Sequence, residues 1–331
     1  MRNLKKAIAP VICGVLPLGA SSALAAAPVA GQILPVAVYH STPSAFGIAF
    51  DSVNNLIWYS QGDSGDDLIH SLKPFESFTA AELAGLPQTG GIYDISLTDG
   101  LHDVAGTTTV TGPGGSGGGA HFSSLAFDSS TGKLVYTSSG SLRSVDPITG
   151  ANDVAGGPPS GFQDGLDIDG GVTWSSPDVG EIYKDGALFA TAGGANAALA
   201  GTGISVSGFS GVEQIGNSLF AVAVGSIGGE ERSIFKYDAI TGELVGYDPD
   251  GDPVATRWED MAYDGKYLYA ADLRGNRDGT GPSGDIYVFE AGGGIVIPPS
   301  GVPDGGSSLL MLLGAFGTIF GSLRAQIKKL G

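Results

Sequence analysis

Leu125-Ala126-Phe127-Asp128-Ser129-Ser130-Thr131-Gly132-Lys133-Leu134-Val135-Tyr136-Thr137 is the stretch on which the fold turns. A short apolar run ends in aspartate, a Ser/Thr/Gly turn follows, and a second run rich in β-branched and aromatic residues leaves it, the pattern of a hairpin. The same plan occurs four more times. Gly47-Ile48-Ala49-Phe50-Asp51 turns at Asn54-Asn55 into Leu56-Ile57-Trp58-Tyr59-Ser60, and Gly165-Leu166-Asp167-Ile168-Asp169 turns at Gly170-Gly171 into Val172-Thr173-Trp174-Ser175. Gly211-Val212-Glu213-Gln214-Ile215 turns at Gly216-Asn217 into Leu219-Phe220-Ala221-Val222, and Met261-Ala262-Tyr263-Asp264 turns at Gly265-Lys266 into Tyr267-Leu268-Tyr269-Ala270.

A third strand follows each hairpin: Leu68-Ile69-His70-Ser71-Leu72, Leu142-Arg143-Ser144-Val145, Glu181-Ile182-Tyr183-Lys184, Ile234-Phe235-Lys236-Tyr237 and Asp285-Ile286-Tyr287-Val288-Phe289. Repeated units of three or four antiparallel strands specify an all-β chain folded as a β-propeller. Aligning Ile48, Leu125, Leu166, Val212 and Met261 gives five clear blades. The first interval is nearly twice the others, which leaves room for a sixth blade around Gly91 to Val110, or for a long insertion. Val36-Ala37-Val38-Tyr39 is expected to supply the outer strand of the last blade and close the ring. The units resemble NHL and YVTN-type propeller repeats, a likeness that implies fold and leaves function open.

Both ends read as targeting segments. Residues 1–25 combine Arg2, Lys5 and Lys6 with an apolar run and a small-residue Ala23-Leu24-Ala25 site, the plan of a secretory signal peptide. Cys13, the one cysteine of the chain, lies within it, so the mature protein is expected to carry neither disulfide nor thiolate metal site. Residues 301–331 place Val302-Pro303-Asp304-Gly305 before an uncharged stretch from Ser307 to Leu323 and then Arg324, Lys328 and Lys329. That stretch is about the length of the shortest transmembrane helices, and the basic end fits the positive-inside rule. Motif, oily run and basic tail together resemble the PEP-CTERM type of sorting signal, in the variant opening Val-Pro-Asp-Ser-Gly, with Gly305 in place of the serine. The resemblance implies an exosortase-type sorting protease as partner, transient inner-membrane anchoring, and delivery to the cell surface or exopolysaccharide matrix of a two-membrane bacterium. Residues 26–300 remain as the propeller domain.

The chain has 34 acidic against 16 basic residues and a net charge of −18, which repels nucleic acid and anionic membranes and suits cations or a neutral polymer. Its 56 glycines and 18 prolines require many turns and few long helices.

The long loops are residues 61–67, 111–121, 193–208, 225–232, 248–257 and 273–284. In propeller topology they share one face, which is therefore the expected working surface. An aromatic precedes each inner strand there: Phe46, Phe122, Phe162, Phe209 and Trp258. Phe162 and Trp258 are candidates for stacking on a sugar, although filling the seam between blades is the better account of these rings. Asp164, Asp167, Glu213, Glu259 and Asp260 lie along inner strands, where carboxylates could converge on Ca²⁺. Asp248, Asp250, Asp252 and Glu259 add the spacing of positions 1, 3, 5 and 12 of an EF-hand loop, but Pro253 stands where that loop needs glycine. The candidate metal ligands are thus Asp164, Asp167, Glu213, Asp248, Asp250, Asp252 and Glu259.

No catalytic constellation stands out. His40, His70, His102 and His121 lack metal-ligand spacing, and the one Gly-x-Ser-x-Gly match, from Gly114 to Gly118, sits in a polyglycine loop. The expected function is a non-catalytic binding or scaffold protein associated with extracellular polysaccharide. The alternative is a Ca²⁺-dependent propeller hydrolase or lactonase, because Gln163-Asp164-Gly165-Leu166-Asp167-Ile168-Asp169 resembles inner strands of the gluconolactonase-like family.

Overall fold

Five sheets surround one axis in this computed structural model, which describes residues 28–31, 34–40, 45–61, 69–97, 124–138, 141–154, 163–177, 179–225, 233–248, 258–272 and 284–291. Residues 1–25, Val302 to Gly305 and the tail behind them, Phe162, Asp250 and Asp252 lie outside the described residues. Among the described residues no helix is long and apolar enough to cross a membrane.

Blade 1 consists of Ala45–Asp51, Leu56–Gln61 and Ile69–Leu72. Blade 2 is Leu125–Asp128, Lys133–Ser138, Ser141–Val145 and Asn152–Val154. Blade 3 is Gly165–Asp169, Val172–Ser176, Glu181–Lys184 and Ala187–Thr191. Blade 4 is Gly208–Ile215, Ser218–Val224, Ser233–Asp238 and Leu244–Tyr247, and Val29–Ala30 joins its outer edge in parallel. Blade 5 is Trp258–Tyr263, Tyr267–Asp272 and Asp285–Glu290. Its outer position is taken by Pro35–His40, antiparallel to Asp285–Glu290, so the start of the propeller closes the ring as the sequence leads one to expect. The first strand of each blade lies against the axis.

Among the described residues no sixth blade forms from the long first interval. Ile92–Ser96 instead pairs in parallel with Pro35–His40, and the short Gln88–Thr89 pairs with Ile92–Ser96, extending blade 5 to six strands. Thr107 to Val110, the other run considered for a sixth blade, lies outside the described residues. The chain leaving blade 1 is pinned to blade 5 by Tyr39, whose hydroxyl donates to the Lys73 carbonyl at 2.8 Å, and by the Phe75 N–H, which donates to the Tyr269 hydroxyl at 2.8 Å. Phe75 and Phe78 then bury their rings among Tyr39, Tyr267 and Tyr269.

The repeated aspartate makes the turns. Asp51 Oδ1 accepts the N–H groups of Val53 and Asn54, and Asp264 Oδ1 those of Lys266 and Tyr267. Asp146 and Asp238 do the same in the turns between third and fourth strands. A short side chain that accepts from residues two and three ahead fixes the reversal without a regular ladder. The aromatics fill the seams: Trp58, Trp174 and Trp258 are all buried, each in a different cluster of the core. Truncating such a residue costs about 3–5 kcal/mol.

Candidate functional site: the axial carboxylates

Crowding at the axis decides what the inner strands carry. The residues preceding the five aligned apolar positions are Gly47, Ser124, Gly165, Gly211 and Asp260. A Cβ on Gly47 would come within 3.0 Å of the Leu125 nitrogen, and one on Gly211 within 2.5 Å of the Asp260 Cα. A Cβ on Gly165 would collide with the Ser210 carbonyl. Four blades therefore place a small residue in this layer, and the fifth places a carboxylate.

Asp260 crosses the space the others leave. Its Oδ2 accepts the N–H of Ile48 in blade 1 at 3.1 Å and that of Leu125 in blade 2 at 3.2 Å, so one side chain ties three blades together. The inner strand of blade 5 carries a register shift between Trp258 and Met261, and blades 1 and 4 have the same irregularity between Ala45 and Ile48 and between Phe209 and Val212. A bulge re-aims side chains at the place where it occurs. Here the bulged residues are those that meet the axis.

Asp260 is completely buried, and its Oδ1 has no hydrogen-bond partner among the described residues. Burial drives its pKa well above the usual carboxylate range; the Ile48, Leu125 and Met261 N–H groups oppose this rise and the Asp167 charge adds to it. Asp167, in the inner strand of blade 3, accepts the Gln214 N–H at 2.9 Å through Oδ2. Burial pushes it up to about 7, against the pull of that N–H and with help from the Asp169 charge. Glu213, in the inner strand of blade 4, is raised well above its ordinary value by burial and then by Asp167, Asp260 and Asp169. No lysine or arginine among the described residues forms an ion pair with these four carboxylates.

Asp167, Asp169 and Glu213 open into an axial pocket of about 260 Å³ whose wall includes Ile48, Leu125, Gln214 and Tyr263. Ser52, Ser129 and Gly216 at its rim belong to the tight turns between first and second strands. The pocket therefore opens on the face of short turns, opposite the long-loop face that the sequence points to. Those long loops fall mostly outside the described residues.

The candidate metal ligands are divided. Asp164 precedes Asp167 by three residues, roughly 10 Å along a strand, and Asp164 and Glu259 lie on the long-loop side of the axial layer. Asp164 is buried, and Glu259 accepts from the Ser210 hydroxyl at 3.1 Å. Asp248 is buried at the end of the outer strand of blade 4, where its N–H donates to the Ile234 carbonyl at 2.9 Å. Among the described residues no three His, Cys, Asp or Glu side chains converge closely enough to hold a metal ion. Among the described residues Asp164 is thus held apart from Asp167, because three residues of extended strand displace a side chain by about 10 Å along the channel. Trp258, offered as a sugar platform, is 2% exposed and packs edge-on against Tyr287 and Phe289, with ring centroids 4.8 and 5.6 Å away. Its indole fills a seam of the core.

Asp169 is the carboxylate that the structure adds to the sequence-derived group, and Asp260, already in that group, proves to be the one that spans the axis. The signal for Asp260 was the alignment itself: an acid stands in a column otherwise Gly, Ser, Gly and Gly. As a group the cluster can hold protons shared among buried carboxyls or attract a positively charged group at its mouth. Nothing in it pairs a nucleophile with a base.

No family model matches the chain, and no curated protein matches it. Among solved structures it is similar to a nidogen/laminin complex, at 12% identity over 69% of this chain and 72% of that chain, with a TM-score of 0.40. It is also similar to the tail fiber of Staphylococcus aureus phage P68, at 14% identity over 78% and 53% of the two chains and a TM-score of 0.45. A third is the calcium-binding protein regucalcin of Agrobacterium tumefaciens, at 13% identity over 80% and 95% and a TM-score of 0.41. The assignment that closes this section rests on the ring of five sheets: the chain is a five-bladed β-propeller.

Proposed function

We propose that this propeller is exported, sorted to the cell surface or matrix through its Val302-Pro303-Asp304-Gly305 tail, and acts there as a non-catalytic binder or scaffold of extracellular polysaccharide. The observation that carries the non-catalytic reading is the state of the axial carboxylates. Asp260 is engaged by N–H groups of blades 1 and 2, Asp167 by that of Gln214 and Glu259 by Ser210, so the groups a metallohydrolase would need hold blades together. The acidic surface, the signal-like first 25 residues and the order of motif, oily run and basic end support the address. Replacing Pro303 and Asp304 together should block maturation while the oily run still holds the protein in the membrane. Unchanged fragment size on a blot of surface fractions would refute sorting.

The second reading, a Ca²⁺-dependent hydrolase or lactonase, draws on one observation: Asp167, Asp169 and Glu213 share a pocket with no basic partner among the described residues. Millimolar Ca²⁺ and EDTA separate the two. The binder melts at one temperature in both, whereas a resident Ca²⁺ adds about 2.7 kcal/mol at a hundredfold excess over its dissociation constant.

A further inference from the structure

His40 stands where the ring-closing strand meets the hairpin added to blade 5. Pro35–His40 runs between Asp285–Glu290 on one side and Ile92–Ser96 on the other. The pairing sets His40 opposite Asp285 and Val38 opposite Asp94, which brings the three polar side chains to one face of the sheet. There the imidazole meets a carboxylate at each nitrogen: Asp285 Oδ1 is 3.2 Å from Nδ1, and Asp94 Oδ1 is 3.6 Å from Nε2. Asp94 also accepts the Thr89 hydroxyl at 2.6 Å through Oδ2, and its N–H donates to the Pro87 carbonyl at 3.0 Å. One carboxylate therefore joins both strands of the hairpin to the closing strand.

Two acceptors facing one ring fix the protonation state that the arrangement needs. An imidazolium donates from both nitrogens, whereas a neutral imidazole has one N–H and one lone pair. In the neutral form one of the two contacts must set a lone pair against a carboxylate. Asp285 is completely buried and nearer, while the Asp94 side chain keeps 21% of its surface exposed, so the proton stays toward Asp285 and the Asp94 contact fails. The Asp285 hydrogen bond leads in raising the His40 pKa; burial opposes it, and the Asp285 charge and the bond and charge of Asp94 add to it. Beyond its backbone pairing to Pro35–His40, the hairpin has little to hold it. Gln88–Thr89 and Ile92–Ser96 reverse at Gly90-Gly91, and of residues 88–96 only Ile95 is buried. Tyr93 adds a ring contact to Phe75, with centroids 5.7 Å apart. A hairpin with so small a share of the core is marginally stable, so one charge-assisted bond weighs heavily in its attachment.

We infer that His40 is a proton-operated latch: protonated, it clasps the 88–96 hairpin to the closing strand through Asp94, and neutral, it lets the hairpin open and uncover the outer edge of Pro35–His40. The device acts locally, and its test does not depend on polysaccharide binding. Amide hydrogen exchange of the full chain, read by mass spectrometry and corrected for the intrinsic chemical rate at each pH, measures the opening. From about pH 5.5 to about pH 8.5, protection of residues 88–97 should fall about tenfold more than that of Tyr267–Asp272, the effect of losing one bond to a charged group. His40→Gln should make protection of the hairpin the same at both pH values. Asp94→Asn, whose amide N–H serves the neutral imidazole, should keep the hairpin protected at the higher pH. Equal changes in the two segments of the parent, a pH dependence that survives His40→Gln, or an Asp94→Asn hairpin that still opens would each overturn the proposal. A variant in which Tyr267–Asp272 also loses protection has lost the fold, and the comparison of the two segments in the parent then decides.

Discussion

Replacing Asp260 by alanine removes one side chain and releases three blades from one another. The N–H groups of Ile48 and Leu125, bonded to Oδ2 at 3.1 and 3.2 Å, would be left buried without an acceptor. Each such loss costs roughly 1–3 kcal/mol, so Asp260→Ala should destabilise the propeller by about 2–6 kcal/mol. The carboxyl also has a cost of its own, since burial and the Asp167 charge oppose its ionisation. Asp260→Asn keeps an oxygen for the two N–H groups and cannot ionise, so it separates these effects. It should match the parent at pH 5 and equal or exceed it at pH 8. Urea unfolding of the three proteins at both pH values reads this directly, from midpoints at a common m-value. The reasoning is refuted if Asp260→Ala costs less than about 1 kcal/mol, or if Asp260→Asn is as damaging as the alanine variant at both pH values.

Other expectations follow from the same geometry. Asp167 titrates near 7 in the folded chain instead of at 3.8, so the folded state holds more protons than the unfolded state between these values. Its contribution to stability should therefore be fully present at acidic pH and fall by on the order of 4 kcal/mol as pH rises from about 4 through 7; an Asp167→Asn variant whose urea-midpoint profile across this window is unchanged from the parent's would contradict it. His40 lies between Asp285, at 3.2 Å from Nδ1, and Asp94, at 3.6 Å from Nε2, and its hydrogen bond to Asp285 leads in raising its pKa. Its contribution is present below the ordinary histidine pKa and lost as pH rises through the raised folded value, so a His40 NMR titration midpoint at or below about 6.5 would exclude the pairing. Gly211→Ala places a Cβ 2.5 Å from the Asp260 Cα and should cost about 1–3 kcal/mol or more by thermal melting. Gly216→Ala meets open space at a φ of +59°, so only local strain, about 1 kcal/mol, is expected there.

The five hairpins were legible because each blade must state its own turn. An aspartate at the end of the first strand and a Gly or Asn in the turn recur in four of the five reversals, Gly216-Asn217 alone serving blade 4, and Val36 to Tyr39 reads as the outer strand that closes the ring. The segment 73–97 was not legible. Ile92–Ser96 has the pattern of a strand, but which sheet it joins depends on Phe75, Phe78 and the tyrosines of blade 5, partners far away in sequence. The carboxylates show the same limit. Sequence spacing put Asp164, Asp167, Glu213 and Glu259 on inner strands, but a step of three residues moves a side chain from one mouth of the channel toward the other. The bulge at Glu259 and Asp260, which decides which acid reaches the axis, leaves no local mark in Trp258-Glu259-Asp260.

The central claim is that this propeller binds extracellular polysaccharide and leaves it intact. The direct measurement incubates the chain with exopolysaccharide in millimolar Ca²⁺, sediments the polymer, and assays both bound protein and newly released reducing ends. The account predicts protein in the pellet and no release above the polymer alone, with the same result in EDTA. Ca²⁺-dependent release of reducing ends that disappears in Asp167→Asn and Glu213→Gln would contradict it and place chemistry at the axial pocket.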